Sequence, residues 1–303
     1  MATAFLFPGQ GSQFVGMGRD LYEREPAAQA LFDEADERLG FRLSQICFEG
    51  PEEQLTDTAV QQPALFTTSL AAWAVLQQRG AADAAFMAGH SLGEFSALAA
   101  AGALSFAAGL ALVRRRGELM KLAGERSPGG MAAVLGLDAE PVAELCARAA
   151  TETGRFVGVA NDNCPGQIVI SGHEEALAAA MELVTDAGAR KVVRLPISIA
   201  AHTPLMGSVA EEFAAAVDAA PLSAARMPVV ANVTARPVQT PDDIRAELKA
   251  QLTSPVAWTD TVRYMAGLGV DTYGETGPGD VLLGLVKRIE SGAQRVRSEQ
   301  HST

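Results

Sequence analysis

The feature that most constrains this chain is Gly89-His90-Ser91-Leu92-Gly93, set between the apolar run Ala85–Ala88 and an Ala-rich run with helical spacing, Leu92–Ala101. Glycines flanking a serine at a strand-to-helix turn permit a bend sharp enough to lift the hydroxyl clear of the backbone. The following helix aims its free N–H groups and positive dipole end at the same point. A strand that ends where a helix begins is the unit of a parallel α/β sheet. Elsewhere the pattern repeats. Ala4–Phe7 reads as a buried strand broken by Pro8-Gly9, helices are predicted over Ala27–Leu39, Ala64–Gln78 and Phe106–Leu122, and Val229–Val233 and Val270–Tyr273 read as later strands.

The stretch from Pro128 to Ile197 has a different rhythm. Met131–Leu137, Phe156–Ala160, Gln167–Ser171 and Lys191–Leu195 are strand-like, with helices expected over Pro141–Ala150 and His173–Ala187. That order is βαββαβ, the split-βαβ pattern of a ferredoxin-like domain. The expected organisation is an α/β catalytic domain of residues 1–127 and 198–303, with residues 128–197 inserted as a small second domain.

Composition narrows the function. With 24 Lys and Arg against 36 Asp and Glu, the net charge is −12, and the chain lacks the cationic surplus of a nucleic-acid binder. The three cysteines, Cys47, Cys146 and Cys164, fit neither a disulfide framework nor a CxxC clamp. The four histidines contain no HxxxH or HExxH pair, so no metal site is expected. No run approaches the ~20 apolar residues that span a bilayer, and the N-terminus lacks a basic leader. A cytoplasmic enzyme or binding protein is expected.

Ser91 at this turn reads as a nucleophile, and a serine nucleophile needs a base. Of the histidines, His301 falls in the polar tail and His173 between a strand and a helix. The side chain of His90 diverges from that of Ser91, which leaves His202 as the base. Nearly every acid between Ser91 and His202 belongs to a helix or to the small domain, and an amide or a backbone carbonyl could orient the imidazole in place of a third triad acid. Pro8-Gly9-Gln10-Gly11-Ser12-Gln13 fails both glycine-rich phosphate patterns. Either Gln10 donates to an oxyanion or the segment is a polar turn, and the residues alone leave both open. Arg114-Arg115-Arg116 lies on one helix, where consecutive side chains point about 100° apart, so the three cannot share a face. Spacing alone favours a solvated basic face, and an inward arginine would instead make a carboxylate receptor.

Taken together, Pro8–Gln13, Gly89–Glu94, Arg116-Gly117 and His202 resemble the malonyl-CoA:acyl carrier protein transacylase family. Asn161 through Gln167, Gln251 through Trp258 and Gly277-Pro278-Gly279 extend the resemblance over essentially the whole chain. It implies an α/β-hydrolase-like large domain with a ferredoxin-like insertion, acting as a monomer without a cofactor. The implied reaction is ping-pong transfer of malonyl from malonyl-CoA to the phosphopantetheine thiol of acyl carrier protein. By the resemblance, Ser91 is the acylated residue, His202 its base, and the Leu92 N–H with the Gln10 side-chain amide the oxyanion site. Arg116 would grip the malonyl carboxylate, the Gln251 main-chain carbonyl would orient His202, and Asn163 would line the cleft between the domains.

An acidic carrier needs a local positive patch on this acidic chain. Arg190, Lys191 and Arg194 are the candidates, with a solvated strand edge as the alternative. Nothing in the sequence separates fatty acid synthesis from a polyketide or malonate decarboxylase pathway, and a serine thioesterase would share Ser91 and His202.

Overall fold

Alternation along the first strand sets the layers of the large domain. In β1 (Ala2–Phe7), Phe5 and Phe7 enter one apolar cluster while Ala4 and Leu6 enter another on the opposite face. A strand buried on both faces belongs at the centre of a parallel sheet covered by helices. The computed structural model, which describes residues 2–80 and 84–297, places β1 there.

Six strands form the larger sheet: β1, β2 (Phe86–Gly89), β7 (Val229–Val230), β8 (Pro237–Val238), β9 (Val270–Glu275) and β10 (Gln294–Arg297), in the order β10-β9-β1-β2-β7-β8. All neighbours are parallel except β7 and β8. Helices Thr58–Gln78 and Phe106–Arg126 cover the Phe5/Phe7 face, where Trp73 packs edge-on against Phe5 at 5.1 Å. Helices Trp258–Gly267 and Val281–Ile289 cover the other.

The remaining strands, β3 (Gly129–Leu135), β4 (Val157–Cys164), β5 (Gln167–His173) and β6 (Lys191–Arg194), make an antiparallel sheet in the order β4-β5-β3-β6. Helices Ala139–Thr153 and Glu174–Asp186 bury Val142, Cys146, Leu177 and Val184 against it, giving the βαββαβ ferredoxin-like arrangement. Its edge strand β4 is stitched to the large sheet's surroundings. Val256 N–H donates to the Ala160 carbonyl at 2.9 Å, and Asp162 N–H donates to the Val256 carbonyl at 3.0 Å.

Two of the differences from the sequence expectation bear on the site. The helix expected from Ala64 begins at Thr58, with Asp57 capping Ala59 N–H at 3.0 Å and Pro63 accommodated inside it. The strand expected over Val229–Val233 stops at Val230, because the chain turns through Ala231–Arg236 with Ala235 at φ 50° and returns as β8. That turn carries Asn232 into the site described next. No helix among the described residues is long and apolar enough to cross a membrane.

Candidate active site

Ser91 stands two residues after the end of β2 with φ 51°, a left-handed conformation that a side-chain-bearing residue holds only under constraint. The two glycines of the motif permit the crossing. A Cβ on Gly89 would lie 1.9 Å from the Gly93 carbonyl carbon, and one on Gly93 would lie 2.0 Å from the Phe7 carbonyl oxygen. Asn232 holds the turn, its Oδ1 accepting Ser91 N–H and its Nδ2 donating to the Gly89 carbonyl, both at 2.7 Å.

Ser91 Oγ lies 2.8 Å from His202 Nε2. His202 Nδ1 faces two main-chain carbonyls, Gln251 at 3.0 Å and Ser254 at 3.2 Å. Carbonyls only accept, so Nδ1 carries the proton and Nε2 presents a lone pair to the hydroxyl. Burial first, and the Arg116 cation second, push His202 down to about 3, which keeps the imidazole neutral at ordinary pH.

Of the three consecutive arginines, Arg114 pairs with Glu118 at 3.0 Å and Arg115 with Glu212 at 2.9 Å, both on the solvent side. Arg116 is fully buried. Its Nη2 donates to Ser91 Oγ at 3.1 Å and to Gln251 Oε1 at 3.0 Å, and its Nη1 donates to Gln62 Oε1 at 3.2 Å. Its Nε has no acceptor, and burial lowers the guanidinium to about 10, still cationic at neutral pH. A buried cation with an orphaned donor beside a nucleophile can receive an anionic group there.

Gln10 Nε2 donates to Gln61 Oε1, so its side-chain amide is engaged within the protein. Its main chain lies over the turn, since a Cβ on neighbouring Gly9 would come within 2.3 Å of the His90 carbonyl oxygen. Among the described residues neither the Leu92 N–H nor the Gln10 N–H has an acceptor. Asn163 Oδ1 accepts from His90 Nε2 at 2.7 Å, joining β4 to the residue before the nucleophile. Burial lowers the His90 pKa, which suits a neutral ring donating through Nε2. His173 sits at the N-terminal cap of the Glu174–Asp186 helix, away from this cluster, and His301 lies outside the described residues.

Beneath the serine is a polar layer that the sequence reading missed. Glu94 accepts from Asn232 N–H at 3.0 Å and from Gln251 Nε2 at 2.5 Å. Glu247 accepts from Val233 N–H at 3.0 Å and contacts the Glu94 carboxyl. Burial, then the facing carboxylate of Glu247, raises Glu94 well above the usual carboxylate range. The signal for Glu94 was its place in the first turn after Gly93. Asn232 and Glu247 carried none. The docking candidates Arg190, Lys191 and Arg194 lie on or beside β6, at the far edge of the small sheet from β4. Among the described residues no group of His, Cys, Asp and Glu forms a metal-binding cluster.

The model of the acyl transferase domain matches residues 4–297. A malonyl CoA-acyl carrier protein transacylase of Bacillus subtilis is 48% identical over 94% of this chain and 90% of its own length. An acyl carrier protein S-malonyltransferase from Vibrio cholerae superposes with a TM-score of 0.94 at 42% identity, covering 98% of this chain and 96% of that one. A malonyl-transacylase solved in complex with a type II polyketide acyl-carrier protein gives a TM-score of 0.95 at 39% identity, with 98% and 96% coverage. By these matches, which run nearly end to end, the chain belongs to the acyl transferase family.

Proposed function

We propose that this chain moves a malonyl group from malonyl-CoA to the phosphopantetheine thiol of an acyl carrier protein through a malonyl-Ser91 ester. The observation that carries this reading is Arg116, a fully buried cation whose Nη2 is 3.1 Å from Ser91 Oγ. A neutral acyl group would leave that charge without an anion. The malonyl carboxylate supplies one, at a cost to non-carboxylated acyl groups of roughly 3–5 kcal/mol if the site is dry.

In the first half-reaction Ser91 Oγ attacks the thioester carbonyl and its proton passes to His202 Nε2. The oxyanion is held by the Leu92 N–H and, in this reading, by the main-chain N–H of Gln10, which has no acceptor among the described residues, while one N–H of its side-chain amide goes to Gln61. The tetrahedral adduct collapses, the C–S bond breaks, and the CoA sulfur leaves with the proton from His202. In the second, His202 takes the proton of the carrier thiol, the sulfur attacks the ester, and Ser91 Oγ departs reprotonated. No cofactor is required, since both acyl bonds are thioester or ester. The Gln251 carbonyl keeps the proton on Nδ1, and Asn163 steadies the turn through His90. We place the reaction in the cytoplasm.

Intact-protein mass after brief incubation with malonyl-CoA tests this. One malonyl adduct is expected on the wild type and none on Ser91→Ala, with discharge by holo but not apo carrier protein. Discharge in buffer alone would make the chain a thioesterase, and no adduct would overturn the reading.

A further inference from the structure

A fully buried guanidinium needs a counter-charge, yet no described carboxylate pairs with Arg116 directly. Its partners are a hydroxyl and two amide oxygens, from Ser91, Gln251 and Gln62. The nearest negative charge is one amide further away. Gln251 Nε2 donates to the Ser91 carbonyl at 2.9 Å and to Glu94 Oε2 at 2.5 Å. Two acceptors on one side fix which end of the amide is nitrogen, and so aim Oε1 at Arg116. Glu94 is fully buried and Glu247 is 5% exposed, and two carboxyls in contact there hold one proton between them.

We infer that the Gln251 side chain is a specificity-determining group that keeps Arg116 charged but unpaired, relaying the charge of the Glu94–Glu247 pair without letting a carboxylate reach the guanidinium. A direct ion pair would stabilise Arg116 better but would fill the place that an acyl carboxylate must take. An amide oxygen orients the cation, and its bond to one nitrogen leaves Nε–H open. This role is separate from that of the Gln251 main chain, whose carbonyl faces His202 whatever the side chain. The inference rests on the carboxylate reading of Arg116.

The experiment compares loading from malonyl-CoA and acetyl-CoA, by rapid quench and intact mass, in wild type, Gln251→Glu, Gln251→Met and Arg116→Ala. The groups facing position 251 are Arg116, Glu94 with Glu247 behind it, and His202 at the main chain. Gln251→Glu, nearly isosteric, sets a carboxylate on Arg116 and removes the donor to the Ser91 carbonyl, so both substrates lose rate, but the malonyl-CoA KM is expected to rise about 10²-fold more than the acetyl-CoA KM. Gln251→Met, which removes the relay without adding charge, should lower malonyl kcat/KM about tenfold and acetyl kcat/KM less. Equal loss of both substrates in Gln251→Glu, or an unchanged malonyl KM, would overturn the inference. If Gln251→Glu shows no cooperative melt, Gln251→Met decides on the same criterion. An unchanged malonyl/acetyl ratio in Arg116→Ala would instead overturn the underlying carboxylate reading.

Discussion

Asn232 accepts the backbone N–H of Ser91 at 2.7 Å, and this bond spans 141 residues of sequence to hold a residue at φ 51°. Such a backbone conformation costs on the order of 1–3 kcal/mol and persists only where its surroundings impose it. Asn232 is fully buried and also binds the Gly89 carbonyl, so it closes the turn from both sides. Asn232→Ala should destabilise the protein by about 2–3 kcal/mol through two unpaired buried groups. It should slow Ser91 acylation by about 10²-fold as the hydroxyl and the Leu92 N–H lose their alignment. Denaturant melts and burst-phase loading would measure the two, and a shifted melt with an unchanged burst would show that the turn holds its shape without Asn232.

Arg116→Ala should reduce malonyl loading and narrow the malonyl/acetyl preference by about 10²-fold or more, as expected for removing a buried cation opposite a carboxylate. Gln62 and Gln251 would lose a donor, so the absolute rates will fall further than the ratio. Competition between the two CoA thioesters in one mixture gives the ratio directly. An unchanged preference would mean that Arg116 only braces the site.

His202 gives a pH signature of defined sign. Its folded-state pKa is about 3 against an ordinary 6.5, so the unfolded chain binds more protons between those values. Its contribution to stability is complete above the ordinary value and declines as pH falls through the window. The loading rate of the free enzyme should accordingly show no acid limb near pH 6.5. Because Arg116 is the second cause of the depression, after burial, Arg116→Ala should move the acid limb of acetyl loading upward toward neutrality. Acetyl-CoA is the substrate to use, since it lacks a carboxylate that would titrate alongside. An acid limb at pH 6.5 in the wild type would show a solvated imidazole.

What the sequence disclosed and what it hid divide along a physical line. Ser91 with its two glycines was readable because strand, turn and helix are local, and Gly89 and Gly93 are the residues that let the two elements touch. His202 emerged by elimination among four histidines. The three arginines stayed ambiguous, since only packing decides which of three directions is inward, and Glu118 and Glu212 draw Arg114 and Arg115 outward. Asn232, Glu247 and the side chain of Gln251 were invisible for another reason. Their partners at Ser91 and Glu94 lie far away in sequence, and a short-range pattern holds no record of that pairing. The Gln10 side-chain role carried over from the resemblance, while its partner Gln61 lies on a helix start that Pro63 obscured.

The small-domain edge gives the test for the carrier. Strand pairing sets Lys191 opposite Leu135, Leu135 opposite Gln167, and Gln167 opposite Cys164, the neighbour of Asn163. Three strand spacings separate Lys191 from Cys164, about 14 Å, well inside one protein–protein footprint centred on the cleft. Arg194 donates to both carboxylate oxygens of Glu174, at 2.5 and 2.7 Å, so its charge is compensated locally. Arg190 and Lys191 are exposed and form no ion pair among the described residues, which leaves them to act on a partner. Arg190→Glu with Lys191→Glu should raise the KM for carrier protein about tenfold at low salt, less at high salt, and leave malonyl-CoA loading unchanged. Arg194→Glu should have the smaller effect on carrier KM. Measuring the two half-reactions separately distinguishes docking from damage, since a variant that slows both equally has disturbed the sheet. A carrier KM unmoved by the double reversal would make these residues a charged edge that guards β6 against strand pairing.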